Sequence, residues 1–419
     1  SADARQERST RIRARQDSAV TAAFGLSLDA METRRDRAIT AFAEDRPDGQ
    51  VTEPPRLVQA FRYTPALAMS LDRSGIDAMA RAPGVERIVE DMITEPMMDE
   101  SLPLIGATLL HGLGFDGDGY AVAVIDTGTD HDHPMLADAI VSSACFSTTD
   151  PTIHAVSRCP TGQAVEIGPR AGDDCDRCAL AATHGTHVGG TVAGRPVIAE
   201  IDGAERELRG VAPGAGIVAV NAFYTDTEDN DAYSQTSDQI AALEWLFDHR
   251  EIPNPEGGDP IQLAAINMSL GGGYSEHYCN TNPLSPIVTM LRTAGVATVI
   301  ASGNNGYNTG VAFPSCIEQA ITVGATNRDD QVIFFSNSAY PVDVLAPGVG
   351  IRSATDMDGT TPLYDAYSGT SMATPHVAGA IALLRSAVPA ASLDQIELAL
   401  EITGRPVTDP DNNLTRPRI

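Results

Sequence analysis

From residue 121 onward the apolar residues fall in short, nearly continuous runs rather than in alternation. They recur at 121–125, 217–220, 264–268, 297–301 and 320–323, with helical stretches between most of them. A strand that alternates has one wet face, whereas a run that is apolar at every position is buried on both. The pattern predicts an α/β fold, a mostly parallel sheet with helices on both faces. In such sheets ligands bind at the carboxyl ends of the strands.

The first hundred residues read differently. A short basic extended segment at 10–15 precedes a helix over 28–44, where Met31, Ala38, Ile39 and Phe42 recur at roughly helical spacing until Pro47, Asp48 and Gly49 break it. Strand-like runs at 57–61 and 67–71, a helix at 74–81 closed by Pro83-Gly84, and a strand at 85–90 complete the order βαββαβ. That is the ferredoxin-like α+β arrangement, a small sheet with both helices on one face. The stretch ERIVEDMITEPMMDES then runs on with few helix signals, shaped to lie extended in a groove.

Composition separates the same two parts. Residues 1–97 hold 16 acids against 14 Arg, whereas residues 98–419 hold 40 acids against 14 Arg. Over all 419 residues the net charge is −28 and 42% of residues are hydrophobic, enough to fill a large core and to exclude a disordered chain. So negative a surface repels phosphate backbones, which argues against nucleic acid as a partner and for a soluble monomer. No stretch has the roughly 18 apolar residues of a membrane helix. All the cations are Arg, which fits a GC-rich genome or adaptation to salt. The chain starts at Ser1 without Met or a signal peptide, so any export signal is expected to have been removed or left out.

Six Cys permit fifteen pairings. Spacing favours Cys145 with Cys159, Cys175 with Cys178, and Cys279 with Cys316, which bracket segments the fold should bring together. An even count points to an oxidising, extracellular compartment. Cys175 and Cys178 with His184 and His187 would make half a zinc site, but no second CxxC exists.

Three residues carry candidate chemistry. Asp126 follows the first apolar run; alone, an acid there is as often a turn former. His184 opens HGTHVGGTVAG, a helix whose small residues suit close packing. Ser371 lies in GTSMATPHVAG, with a turn at Gly369-Thr370 and a helix over 372–384 that takes Pro375 in its first turn. A Ser there is often only a cap. It is equally placed for acyl transfer, because its own amide and the helix dipole point at a developing oxyanion.

The segments VAVIDTG, HGTHVGGTVAG, INMSLGGG, ASGNNG and GTSMATPHVAG stand in the order found in subtilisin-like serine proteases, and the chain resembles that family over nearly its whole length. The resemblance implies a triad of Asp126, His184 and Ser371, with Asn304 rather than its neighbour Asn305 donating to the oxyanion. It makes Ser269, Leu270, Gly271 and Gly272 one wall of the S1 pocket, Ala301, Ser302 and Gly303 the other, and Ala312 its floor. No acid stands among these residues, so an apolar P1 side chain is expected in an otherwise broad specificity. An esterase would want GxSxG where GTSMA stands. A pseudoenzyme kept for binding is the other alternative, against which the intact triad and Asn304 argue.

By the same resemblance, residues 1–97 are a propeptide that aids folding and inhibits the enzyme, and 98–419 are the catalytic domain. The expected self-cleavage lies between Met97 and Met98. Protein and peptide substrates and its own propeptide are the implied partners, and secretion the implied location. Catalysis needs no cofactor. Structural calcium is in doubt at one site, because Met135 stands where many subtilisins have a ligating Asp. The acidic loops at 173–174 and 226–231 are other candidates.

Overall fold

The structure is a computed structural model that describes residues 2–31, 56–60, 67–85, 88, 98–174, 182–201, 203–255, 257–355 and 363–419. The chain forms two compact units, Ser1–Ile93 and Thr94–Ile419.

In the first unit the segment expected to be an extended strand at 10–15 is instead part of a helix, Ala2–Phe24. Its Ala, Arg, Gln and Glu are strong helix formers, and that preference outweighs the basic spacing read as a strand. Val20 on this helix packs with Leu28 and Met31 in a small core, and Asp17 Oδ1 accepts from Leu28 N at 2.6 Å. The strands Arg56–Ala60 and Leu67–Ser70 pair antiparallel. The helix Arg73–Ala80 follows, with Asp72 as its cap accepting from Gly75 N at 2.8 Å. The last strand expected at 85–90 and most of the helix expected over 28–44 lie outside the described residues. At the start of the second unit Met98–Leu104 is helical, so the extended reading of the tail fails for its last residues.

In the second unit seven parallel strands form the body of the main sheet: β1 (Tyr120–Asp126), β2 (Ile140–Phe146), β3 (Gly216–Asn221), β4 (Ile261–Met268), β5 (Ala297–Ala301), β6 (Ile321–Thr326) and β7 (Val344–Pro347). Their spatial order is 2-3-1-4-5-6-7. Alternate residues of β1 explain its apolar run. Val122 and Val124 pack under α1 (Ala182–Ala193) and α4 (Thr370–Ala387). Ala121, Ala123 and Ile125 face α2 (Thr236–Asp248) and α3 (Ser285–Thr293). Both faces are dry, and each fully buried Val or Leu contributes about 1.5–3 kcal/mol through burial.

The strand order reverses at β1, which has β3 on one side and β4 on the other. At such a point the connections leave in opposite directions and open a crevice at the strands' carboxyl ends. Asp126 is the last residue of β1. Two expected disulfides, Cys145–Cys159 and Cys279–Cys316, are present; Cys175 and Cys178 lie outside the described residues.

Candidate active site

The approach of His184 to Asp126 is set by two glycines. A Cβ on Gly185 would lie 2.0 Å from Gly128 O, and Gly128 itself has φ +109° with Asp173 O against it. Only Gly lets α1 press onto the turn after β1 this closely. There His184 Nδ1 lies 2.7 Å from Asp126 Oδ1, which also accepts from Thr127 N at 2.7 Å. A carboxylate only accepts, so Nδ1 carries the proton and Nε2 is left to act as a base. Asp126 is 1% exposed. Burial lowers the His184 pKa, but the charge and hydrogen bond of Asp126 outweigh it and leave it raised. His187, one turn on, has a backbone carbonyl partner, Ile351 O at 2.8 Å, in place of a carboxylate, and burial pushes it down to about 3.

Ser371 is the second residue of α4. Pro375 is the sixth, beyond the first turn where it was expected, and it has no N–H to give the Ser371 carbonyl four residues back. Ser269 Oγ fills that vacancy, donating to Ser371 O at 2.7 Å, and is itself held by Asn267 Nδ2 at 2.9 Å. Ser371 Oγ donates to Ser269 O at 3.3 Å.

Asn304 is tied to the same helix start. Its Oδ1 accepts from Thr370 N at 2.8 Å and Thr370 Oγ1 at 2.9 Å, which turns its amide NH2 the other way. A Cβ built on Gly369 would lie 3.3 Å from Asn304 Nδ2 and 3.6 Å from Ser371 N. Two donors thus flank one small space beside the Ser371 backbone. Asn305 is engaged elsewhere, its N donating to Asn337 Oδ1 at 3.0 Å.

The residues expected around P1 also converge. A Cβ on Gly271 would sit 3.1 Å from Ala312 Cβ, and one on Gly303 2.8 Å from the same atom. Ala312 N donates to Ser302 O at 2.8 Å, and Ser302 Oγ to Asn337 O at 2.9 Å. Gly272 pairs with Phe313 across a short antiparallel ladder, Leu270 packs on the α2–α3 core, and Ala301 ends β5. Thr370 was read from sequence only as part of a turn and Asn337 not at all, since a buried Thr and a loop Asn carry no pattern that shows their partners. Met97 lies outside the described residues, and Met98 begins a helix.

Met135 is fully buried against Gly194 and offers no oxygen. Asp130, Asp173 and Asp174 each present a carboxylate oxygen, all within 4.8 Å of one another. Asp130 is 5% exposed and its Oδ2 has no hydrogen-bond partner; Asp173 also pairs with Arg170 at 2.6 Å. Around 226–231 the carboxylates serve turns instead, Asp226 Oδ1 accepting from Glu228 N and Asp229 Oδ1 from Asp231 N.

A carboxylate–imidazole pair at the switch point of a parallel sheet, with a serine at the start of a helix in the same unit, fits a serine hydrolase. A family model described as the subtilase family matches residues 117–414, and the chain belongs to that family, the subtilisin-type serine endopeptidases. It is 32% identical over 355 residues to subtilisin E of Bacillus subtilis, covering 83% of this chain and 77% of that one. To an extracellular protease of Xanthomonas campestris it is 33% identical over 296 residues, 69% of this chain and 48% of the other. A solved cold adapted subtilisin-like serine proteinase matches with a TM-score of 0.52 and 28% identity, over 73% of this chain and 89% of that one. Subtilases need no cofactor for catalysis, and among the described residues no helix is long and apolar enough to cross a membrane.

Proposed function

We propose that the chain is a secreted endopeptidase made as a self-processing zymogen, with Asp126, His184 and Ser371 as its triad. The observation that carries this is the 2.7 Å contact of His184 Nδ1 with Asp126 Oδ1 in the same unit as the two donors around Gly369. Ser371 Oγ leaves its bond to Ser269 O and attacks the scissile carbonyl, while His184 Nε2 takes its proton. Charge develops on the carbonyl oxygen and is met by Asn304 Nδ2 and Ser371 N–H. The tetrahedral intermediate collapses as His184 returns the proton to the leaving amine. Water then attacks the acyl-enzyme with His184 as base again, releasing the acid and restoring Ser371. Asp126 keeps the imidazole in the productive tautomer and offsets its positive charge.

Residues 1–97 act as folding aid and inhibitor, with Met97 as P1 of the self-cleaved bond and Met98 as the new terminus. A large core of distant contacts folds slowly, and a template for the groove lowers that barrier. The apolar lining around Gly271, Gly303 and Ala312 favours Met, Leu, Phe or Tyr at P1. The disulfides suit an extracellular or periplasmic location, and the acidic surface suits a monomer. Asp130, Asp173 and Asp174 would hold a structural calcium, a reading supported by the buried, unpartnered Asp130 Oδ2.

The test is casein digestion by the purified chain and by Ser371→Ala, with the N-termini of the fragments sequenced. Digestion that vanishes in Ser371→Ala, with Met98 as the new terminus of the wild type, is expected. Equal digestion by both proteins would overturn the assignment.

A further inference from the structure

Among the described residues Arg158 has the largest of the fully buried side chains, 2% exposed. It is clamped from several directions. Its backbone N donates to Ser147 Oγ at 2.9 Å, and the next residue, Cys159, is bridged to Cys145 on β2. Cys145 lies in register with Asn221 on β3, and Asn221 with Asp126 on β1. Arg158 Nη2 reaches Thr127 O at 3.4 Å, the carbonyl directly after Asp126, which Asn221 Nδ2 also holds at 3.0 Å. The other guanidinium nitrogens, Nε and Nη1, have no hydrogen-bond partner, and neither has the buried Asp126 Oδ2.

A buried cation with two orphaned donors is costly unless opposite charge lies close by. The carboxylates acting on it are Asp126 at the end of β1, Asp174 in the loop before α1 and Asp231 on a hairpin strand. Burial pulls the Arg158 pKa down to about 10 against them, so it stays charged at neutral pH. His184 in turn faces Asp126 and, along α1, His187, which itself faces His376 of α4.

We propose that Arg158, held behind Asp126 by the Cys145–Cys159 bridge, is a positioning residue that sets how much negative charge Asp126 presents to His184, and with it the pH at which the protease becomes active. The proposal rests on Asp126 and His184 acting as a pair. A cation on the far side of the carboxylate opposes protonation of the imidazole, so removing it makes His184 more basic.

The experiment measures kcat/KM on a fluorogenic peptide from pH 5 to 10 for wild type, Arg158→Gln and Arg158→Lys, with fluorophosphonate labelling of Ser371 across the same range. In Arg158→Gln the acid limb should move up by about 0.5–1 pH unit, because the removed charge acts on the imidazole from beyond Asp126 and is strongly screened there. That is a loss of about 3- to 10-fold on the acid side, with a smaller loss at the alkaline plateau. Arg158→Lys should fall between the two. An Arg158→Gln limb that overlays the wild type while Tm falls would make Arg158 merely structural and overturn the proposal. If Arg158→Gln does not fold, Arg158→Met, which keeps most of the volume without the charge, decides instead: an upward shift of the limb supports the proposal and an overlay overturns it. Wild type that takes no label at any pH removes the protease assignment of Ser371 instead, a failure distinct from an unmoved limb.

Discussion

Ser269 and Ser371 hold each other twice, through Ser269 Oγ to Ser371 O at 2.7 Å and Ser371 Oγ to Ser269 O at 3.3 Å. The first bond replaces the helical donor that Pro375 cannot supply, so Ser269, proposed for the S1 wall, also fixes the backbone of Ser371, the proposed nucleophile. Ser269→Ala orphans the Ser371 carbonyl at a cost of about 1–3 kcal/mol. We expect kcat to fall about tenfold and Tm to drop, with KM changed less; steady-state kinetics and calorimetry check this.

Asn304 is aimed by Thr370, whose N–H and hydroxyl both occupy its Oδ1. In subtilisin the loss of one such oxyanion donor costs about 10²–10³ in kcat, and we carry that magnitude over to Asn304→Ala. Thr370→Val keeps the shape but removes one of the two bonds that orient the amide. It should give a smaller loss in kcat, about tenfold, with KM near wild type. A Thr370→Val enzyme as slow as Asn304→Ala would show that Thr370 acts in some way other than by aiming Asn304.

The pH response follows from the raised pKa of His184. The base must be neutral, so kcat/KM should fall tenfold per unit below that pKa, with the acid limb above the ordinary imidazole value of about 6.5. Asp126→Asn removes the charge that raises it. The limb should then move down while kcat falls by about 10⁴, because the tautomer is no longer held. The same raised pKa stabilises the fold fully below the unfolded-state value, and that contribution is lost as pH rises through the folded-state one.

Calcium can be tested by stability rather than by activity. Chelation should lower the Tm of the purified enzyme and added Ca²⁺ restore it, by about 2.7 kcal/mol at a hundredfold excess over Kd. Asp130→Asn removes the buried carboxylate of the cluster and should abolish the Ca²⁺ dependence of Tm. A chelator that leaves the wild-type Tm unchanged would remove calcium from Asp130, Asp173 and Asp174.

The five apolar runs were legible because a strand dry on both faces is apolar at nearly every position, with only Asn267, Thr298 and Thr322 as buried polar exceptions, and Asp126, His184, Ser371 and Asn304 were legible as candidates because motifs of small residues surround them. The segment at 10–15 misled because its basic spacing says little when an Ala- and Arg-rich chain can bury Val20 as a helix. Close packing also leaves its mark on sequence, since at Gly185 and Gly128 no other residue would fit. Partnerships between distant residues leave none. That Ser269 holds Ser371, that Thr370 turns Asn304, and that Arg158 comes to rest behind Asp126 depend on which strands lie side by side and in which register. Short-range propensity determines the elements of this chain, but hydrogen bonds and buried charges are settled only by distances that the packed sheet and helices impose.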